Sequence, residues 1–503
     1  MHFTSRFGSL LLFAGLAISS PVATPTEPDP SQAVSVELNG QTFINKGLVA
    51  FGLIPSNATE STGDTIGGIG SAIAFKRGTF MSNTDGTFSG TLTVQPDRGF
   101  NVDGTVDYQG RQFDIDFVLT PYYGTADLSF DDALQTLSLT YIRTLLYTER
   151  NDTKTTGLDA LAVRAADSGF PQDPTADPPL PIPSQSFNRL TLDCEGLVLN
   201  ADGTFWMSDE YGPYIYRFAS DGSLIQVISP PDAILPMVKN KLNFTSMNDP
   251  DTGRAGNQGF EGLTVSPNGN TLFALLQSAT IQDGGNKKST SRFTRLLSYD
   301  VSDLTVETPA LIGEWVVPLP QDSSGDTLAQ SEMHFISENV FFVLARDANG
   351  HGGNSDTSAY KQADLIDISG ATDIHDTEFD DPSNPIASKG KLDKSITPAL
   401  YVPFVNFINN TQLARFGLHN GSPADQTLID AKWESLALAP VNDPANPNDY
   451  FLFTAADNDF LSTQGVFNGM SFNAGLDNDN QFLVFRVTLP TVTAGSVQEA
   501  IGI

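Results

Sequence analysis

The chain is predicted to be all-β, a β-propeller of four-stranded blades, six in number with seven as the alternative. Two observations predict it. First, short strand-length runs bounded by Gly, Asn, Asp and Pro recur along the chain, among them Thr204–Ser208, Tyr214–Phe218 and Val340–Leu344, while sustained helical periodicity is scarce. Second, one unit repeats. It opens on a glutamate within an apolar strand, turns on small polar residues, and returns as a second apolar strand. Radial repetition of such units leaves only short, protected strand edges.

The four clear units begin at Glu195, Glu261, Glu332 and Glu434, which stand 66, 71 and 102 residues apart. Each is expected to continue into a third strand carrying a basic residue: Arg217, Arg295, Lys361 and Arg486. Residues 67–165 repeat less clearly and have room for about two more blades. One propeller is therefore expected over residues 34–503, with long loops near 166–188 and 370–398.

Arg6 precedes the apolar run Leu10–Ile18, which is too short to span a bilayer. Residues 1–19 read as a secretory signal peptide, cleaved after Ser19 or Ala23, and 20–33 as a flexible lead-in. A secreted, extracellular, soluble monomer is expected. Asn57, Asn151, Asn243, Asn409 and Asn420 head N-glycosylation sequons, the last with Pro423 just beyond it. Cys194 is the single cysteine, which excludes an intrachain disulfide and reads as a buried strand thiol.

The 503 residues are 40% hydrophobic and 17% charged, enough apolar material for a large core. Lys and Arg number 27 against 59 Asp and Glu, a net charge of −32. So negative a surface repels nucleic-acid phosphates and anionic membranes, and both are excluded as partners.

Antiparallel pairing puts the start of each first strand beside the end of the second. Glu195, Glu261, Glu332 and Glu434 thus gather at one mouth of the channel, with Asp209, Glu210, Gln277, Arg346, Asp347 and Asp457 near them. Carboxylates that close need counterions. Either a hard cation such as Ca²⁺, which takes six to eight oxygen ligands, sits on the ring, or each Glu pairs with a basic residue or backbone donors and ties blade to blade. The candidate metal ligands are the four glutamates with Asp347 and Asp457. His334, on the same strand side as Glu332, is the candidate general base, with Asp209 and Glu210 beside it. No G-x-S-x-G elbow, H-E-x-x-H or Cys/His cluster is present.

The strings Asp193-Cys194-Glu195-Gly196-Leu197, Trp206–Gly212, Gly259–Leu263, Ala274–Ser278 and Arg292–Leu297 resemble the secreted phytase-like proteins, described as carrying an esterase-like domain of phytase, over about 65–490. The resemblance implies phosphate-ester hydrolysis, and β-propeller phytases use calcium to bind phosphate. Their Asp-Ala-Asp-Asp-Pro-Ala motif is absent here, as is the Arg-His-Gly of histidine acid phosphatases, so no catalytic residue carries over. A metal-assisted phosphoesterase would use Arg217, Arg295 and Arg346 to clamp phosphate, beside Gln277. The alternatives are a calcium-dependent lactonase or carboxylesterase propeller and a non-catalytic extracellular binding propeller.

Overall fold

A computed structural model describes residues 26–99, 104–164, 172 and 176–503. The expected signal segment and most of the Pro-rich half of the 166–188 loop lie outside the described residues. The fold is a propeller, with five blades where six were expected. In chain order the innermost strands are Ala72–Phe75, Cys194–Leu199, Phe260–Val265, Gln330–Ser337 and Lys432–Pro440. Each neighbours the next, and the fifth returns to the first. Blades 2 to 5 are the four units legible in the sequence.

The count falls to five because the region allotted two blades supplies one. Blade 1 consists of Ala72–Phe75, Phe88–Gln95, Arg111–Leu119 and Leu137–Leu146. Beyond it, among the described residues, the end of that region gives Ala162–Arg164, paired in a two-stranded ribbon with Leu180–Ile182. Upstream, Gln41–Ile54 pairs with Asn480–Thr488 in blade 5, and Val34–Leu38 adds outside it. Early and late sequence thereby share one sheet and lock the ring.

Core packing follows the ring. Five hydrophobic clusters each lie between two adjacent blades; Phe273 and Leu275 of blade 3, for example, meet Met333, Phe341 and Val343 of blade 4. Each fully buried Leu, Val or Phe contributes about 1.5–3 kcal/mol. Close approach at the centre needs glycine. A Cβ at Gly196 would lie 2.5 Å from the Leu263 Cβ, and one at Gly262 2.9 Å from the Met333 nitrogen. The Glu-Gly pairs thus set the spacing of inner strands.

The 370–398 segment folds back on blade 3. Ile374, Ile386 and Ile396 form a small cluster with Val316. At the other end of the channel the helix Ser496–Ile501 packs across the mouth, held by hydrogen bonds from the Arg77 guanidinium to the Glu499 and Ala500 carbonyls.

Candidate functional site

Cross-strand register explains why acidic side chains collect at one mouth. Where the inner strand begins, one residue is left unpaired as a β-bulge, which re-aims its side chain. The bulged residue is Glu261 between Phe260 and Gly262, and Glu434 between Trp433 and Ser435. In blade 2 the break falls between Cys194 and Leu197, at Glu195. Blade 1 has Ser71 there, since Gly70 and Ala72 both face Gln95. Blade 4 has Ser331, because Gln330 pairs with Ala345 and Glu332 with Leu344. Glu332 is therefore one position out of step with the other three glutamates. Its carboxylate accepts the backbone N–H groups of Leu263 and Met333, at 3.1 and 2.7 Å, and so ties blade 4 to blade 3.

Opposite the bulges, at the ends of the second strands or just beyond them, stand Asp97, Glu210, Gln277, Arg346 and Asp457, one from each blade. The floor between them is carboxylate. Asp193, Glu195 and Glu210 are buried, and each brings an oxygen within 4.8 Å of the others. Glu210 accepts from the Asn257 amide at 2.6 Å, and Glu261 from the Gln277 amide. One oxygen each of Glu210 and Glu261 is buried with no hydrogen-bond partner among the described residues.

This crowding moves the acids upward. Burial, and then the neighbouring carboxylates, hold Glu195 and Glu210 well above the carboxylate range. Glu261 is pushed to about 8 by burial and by Glu434, against the pull of Arg346 and Lys432. The chemistry of this donor set fits a hard cation: several carboxylate oxygens, preorganised, dry and short of partners.

The rim is mixed. Arg98 lies 3.1 Å from Asp193, Arg346 pairs with Glu434, and Lys432 reaches Asp457 and, at 2.8 Å, Asp459. Asp97, Asp457 and Asp459 form a second cluster of carboxylates, but there the Lys432 ammonium already supplies countercharge. Arg98, Arg346 and Lys432 keep side-chain exposures of 17%, 14% and 23%, so the cations face the opening while the carboxylate floor does not.

Other predicted residues lie elsewhere. Asp209 is buried and its carboxylate accepts from the backbone of Asp193 and Tyr211, at 2.9 and 2.8 Å, which fixes the turn carrying Glu210. Arg217 stands at the far end of blade 2, bonded to Asp202 and the Leu304 carbonyl, both at 2.9 Å. Arg295 is wholly buried in blade 3 between Asp283 at 2.8 Å and Glu314 at 2.7 Å. Asp347 organises its own loop, accepting from Ser358, Ala359 and Lys361. His334 lies below Glu332 in the channel, lowered to about 4 by burial. Arg346, Gln277, Glu210, Glu195, Glu261, Glu434 and Asp457 are brought together.

Asp97, Arg98, Asp193, Asn257 and Lys432 were not foreseen. Signals existed for some of them. Asp193 and Lys432 each stand two residues before a ring glutamate, hence on the same strand side. Asp97-Arg98 follows an apolar strand as Asp209-Glu210 does.

Comparison with known proteins adds the following. The phytase-like family, described as "Esterase-like activity of phytase", matches residues 64–412. A protein of Arthroderma benhamiae described as an uncharacterized secreted protein is 38% identical, over 91% of this chain and 97% of its own. Among solved structures, a luciferin-regenerating enzyme is 11% identical with a TM-score of 0.30, covering 89% of this chain and 97% of its own. A putative 6-phosphogluconolactonase from Bacteroides uniformis is 10% identical with a TM-score of 0.27, covering 89% and 95%.

Proposed function

The chain belongs to the phytase-like family, and from that premise we propose that it is a secreted, metal-assisted hydrolase of phosphate esters. The observation that carries the proposal is the buried triad Asp193, Glu195 and Glu210, with Glu261 beside it and carboxylate oxygens left unpartnered. Asp193, Glu195 and Glu210 would hold Ca²⁺, with Glu261 in reach of the same pocket. A bound Ca²⁺ supplies Lewis-acid polarisation of a phosphoryl or carbonyl oxygen.

The chain's own residues do the rest. Arg98, Arg346 and Lys432 draw an anionic ester to the mouth against the field of the whole molecule and orient it. Asn257 and Gln277 hold the carboxylates of Glu210 and Glu261 in place. Secretion is supported by the apolar run Leu10–Ile18 and by the secreted relative; no helix among the described residues is long and apolar enough to cross a membrane.

One observation favours a second reading, a lactonase or carboxylesterase. All three rim cations are already ion-paired, so a phosphate must compete for them, whereas a carbonyl substrate needs no cationic clamp. The test is hydrolysis of p-nitrophenyl phosphate, p-nitrophenyl acetate and a γ-lactone by chelated and Ca²⁺-reloaded protein. Calcium-dependent release from the phosphate supports the proposal. Release from the acetate or lactone alone moves the assignment to the second reading, and inertness toward all three overturns both.

A further inference from the structure

Below the carboxylate ring the channel changes character. A cavity of about 90 Å³ is lined by all five inner strands, through residues such as Phe75, Leu197, Leu263 and Leu436, and by Val497 and Ala500 of the helix across its mouth. His334 also lines it. Its imidazole makes no hydrogen bond to any described residue, and burial keeps it neutral. The Glu332 Oε1 above it is occupied by two backbone N–H groups. The walls are mainly apolar, with Thr264, Glu332 and Ser496 among them; apolar walls do not hold water well, and a larger engineered cavity of about 150 Å³ lined by Leu, Ile and Phe takes up benzene. A cavity this small, with one neutral, half-buried imidazole whose ring makes no hydrogen bond to a described residue, selects for size and for a single hydrogen bond.

The geometry points to a second binding site in the lower channel, for a small uncharged molecule of about one ring bearing one hydroxyl, its body among the inner-strand side chains and its hydroxyl donating to His334. The site is separate from the hydrolase reading and stands or falls without it.

Phenol and benzene are the probes, titrated into the full-length secreted protein by isothermal calorimetry. Phenol is expected to bind saturably, one per chain, and more tightly than benzene. His334→Leu removes the acceptor and should weaken phenol about tenfold while leaving benzene unchanged. Ala500→Leu adds bulk from the helix, without touching the blades, and should abolish both. Thermal unfolding checks that each variant folds. If His334→Leu does not fold, the ¹⁵N shifts of the His334 ring in the unaltered protein replace it, and must move on adding phenol. No saturable phenol binding, binding that survives Ala500→Leu, or equal affinity for phenol and benzene overturns the proposal.

Discussion

The guanidinium of Arg98, carried by blade 1, lies 3.1 Å from the buried carboxylate of Asp193 in blade 2. It bridges two blades and is the cation nearest the acid triad. Removing one partner of a buried pair leaves an uncompensated charge, at about 3–5 kcal/mol. Arg98→Met is therefore expected to lose about 3 kcal/mol in urea unfolding of the chelated protein. Added Ca²⁺ should recover part of this, because the bare carboxylates then bind it more tightly. A loss unaffected by Ca²⁺ would separate Asp193 from the metal.

Glu195→Gln and Glu210→Gln should act in opposite directions with and without metal. In chelated protein at a pH that begins to ionise the cluster, removing a carboxyl from so crowded and dry a site raises the melting temperature. In saturating Ca²⁺ the parent gains RT ln(1 + [L]/Kd), about 2.7 kcal/mol at a hundredfold excess over Kd, and the variants do not. Calorimetric melting of the three proteins, each with chelator and with Ca²⁺, reads both effects.

Glu261 makes stability depend on pH. Its carboxyl titrates near 4.5 when unperturbed and about 8 in the folded protein. The folded state thus prefers the protonated form. The stability this contributes is complete below about 4.5 and is lost as pH rises to about 8. Glu261→Gln should match the parent in stability near pH 4.5, relative to a common offset, and outdo it progressively up to pH 8. A constant difference across that range would mean the carboxyl titrates normally.

The buried arginine of blade 3 and the rim arginine of blade 4 can be told apart. Arg295→Met strands Asp283 and Glu314 and should cost about 3–5 kcal/mol with kcat intact where the protein is still folded. Arg346→Gln leaves Glu434 with the Lys432 ammonium 3.6 Å away, so it should cost less stability and raise KM for an anionic ester. Steady-state kinetics beside urea unfolding distinguishes the two.

Glycan occupancy should follow amide availability. Asn57 and Asn151 are exposed, whereas the Asn420 amide donates to the Ser358 carbonyl at 2.9 Å while its oxygen accepts from the Ser358 nitrogen. Peptide mass spectrometry of the secreted protein is expected to find Asn57 and Asn151 modified and Asn420 bare.

The propeller and four of its blades were legible because each repeats a chemically loud mark, a glutamate inside an apolar strand. Blade 1 was legible only faintly, as one of two expected in residues 67–165, because a quiet Ser71 stands at that point, and Asp97 and Arg98 were not singled out. Glu332 misled for a related reason. Sequence spacing cannot show which residue a bulge leaves unpaired, and in blade 4 it is Ser331. Arg295 looked like a phosphate clamp because composition does not reveal that Asp283 and Glu314 enclose it. Asn257 reaches the site from an irregular segment that no periodicity marks.

The sheet that joins Gln41–Ile54 to Asn480–Thr488 has a consequence for how the molecule is made. During synthesis the first of these segments emerges long before its partner, and the fourteen-residue strand, hairpinned to Val34–Leu38 along part of one edge, must wait with its other edge unpaired while four blades assemble. Contacts so distant along the chain form late and slowly, and a waiting strand edge invites association with other nascent copies. Assembly of the ring is therefore timed by synthesis of the last blade, and truncation anywhere within residues 480–488 should leave four blades with an open seam and an aggregating product.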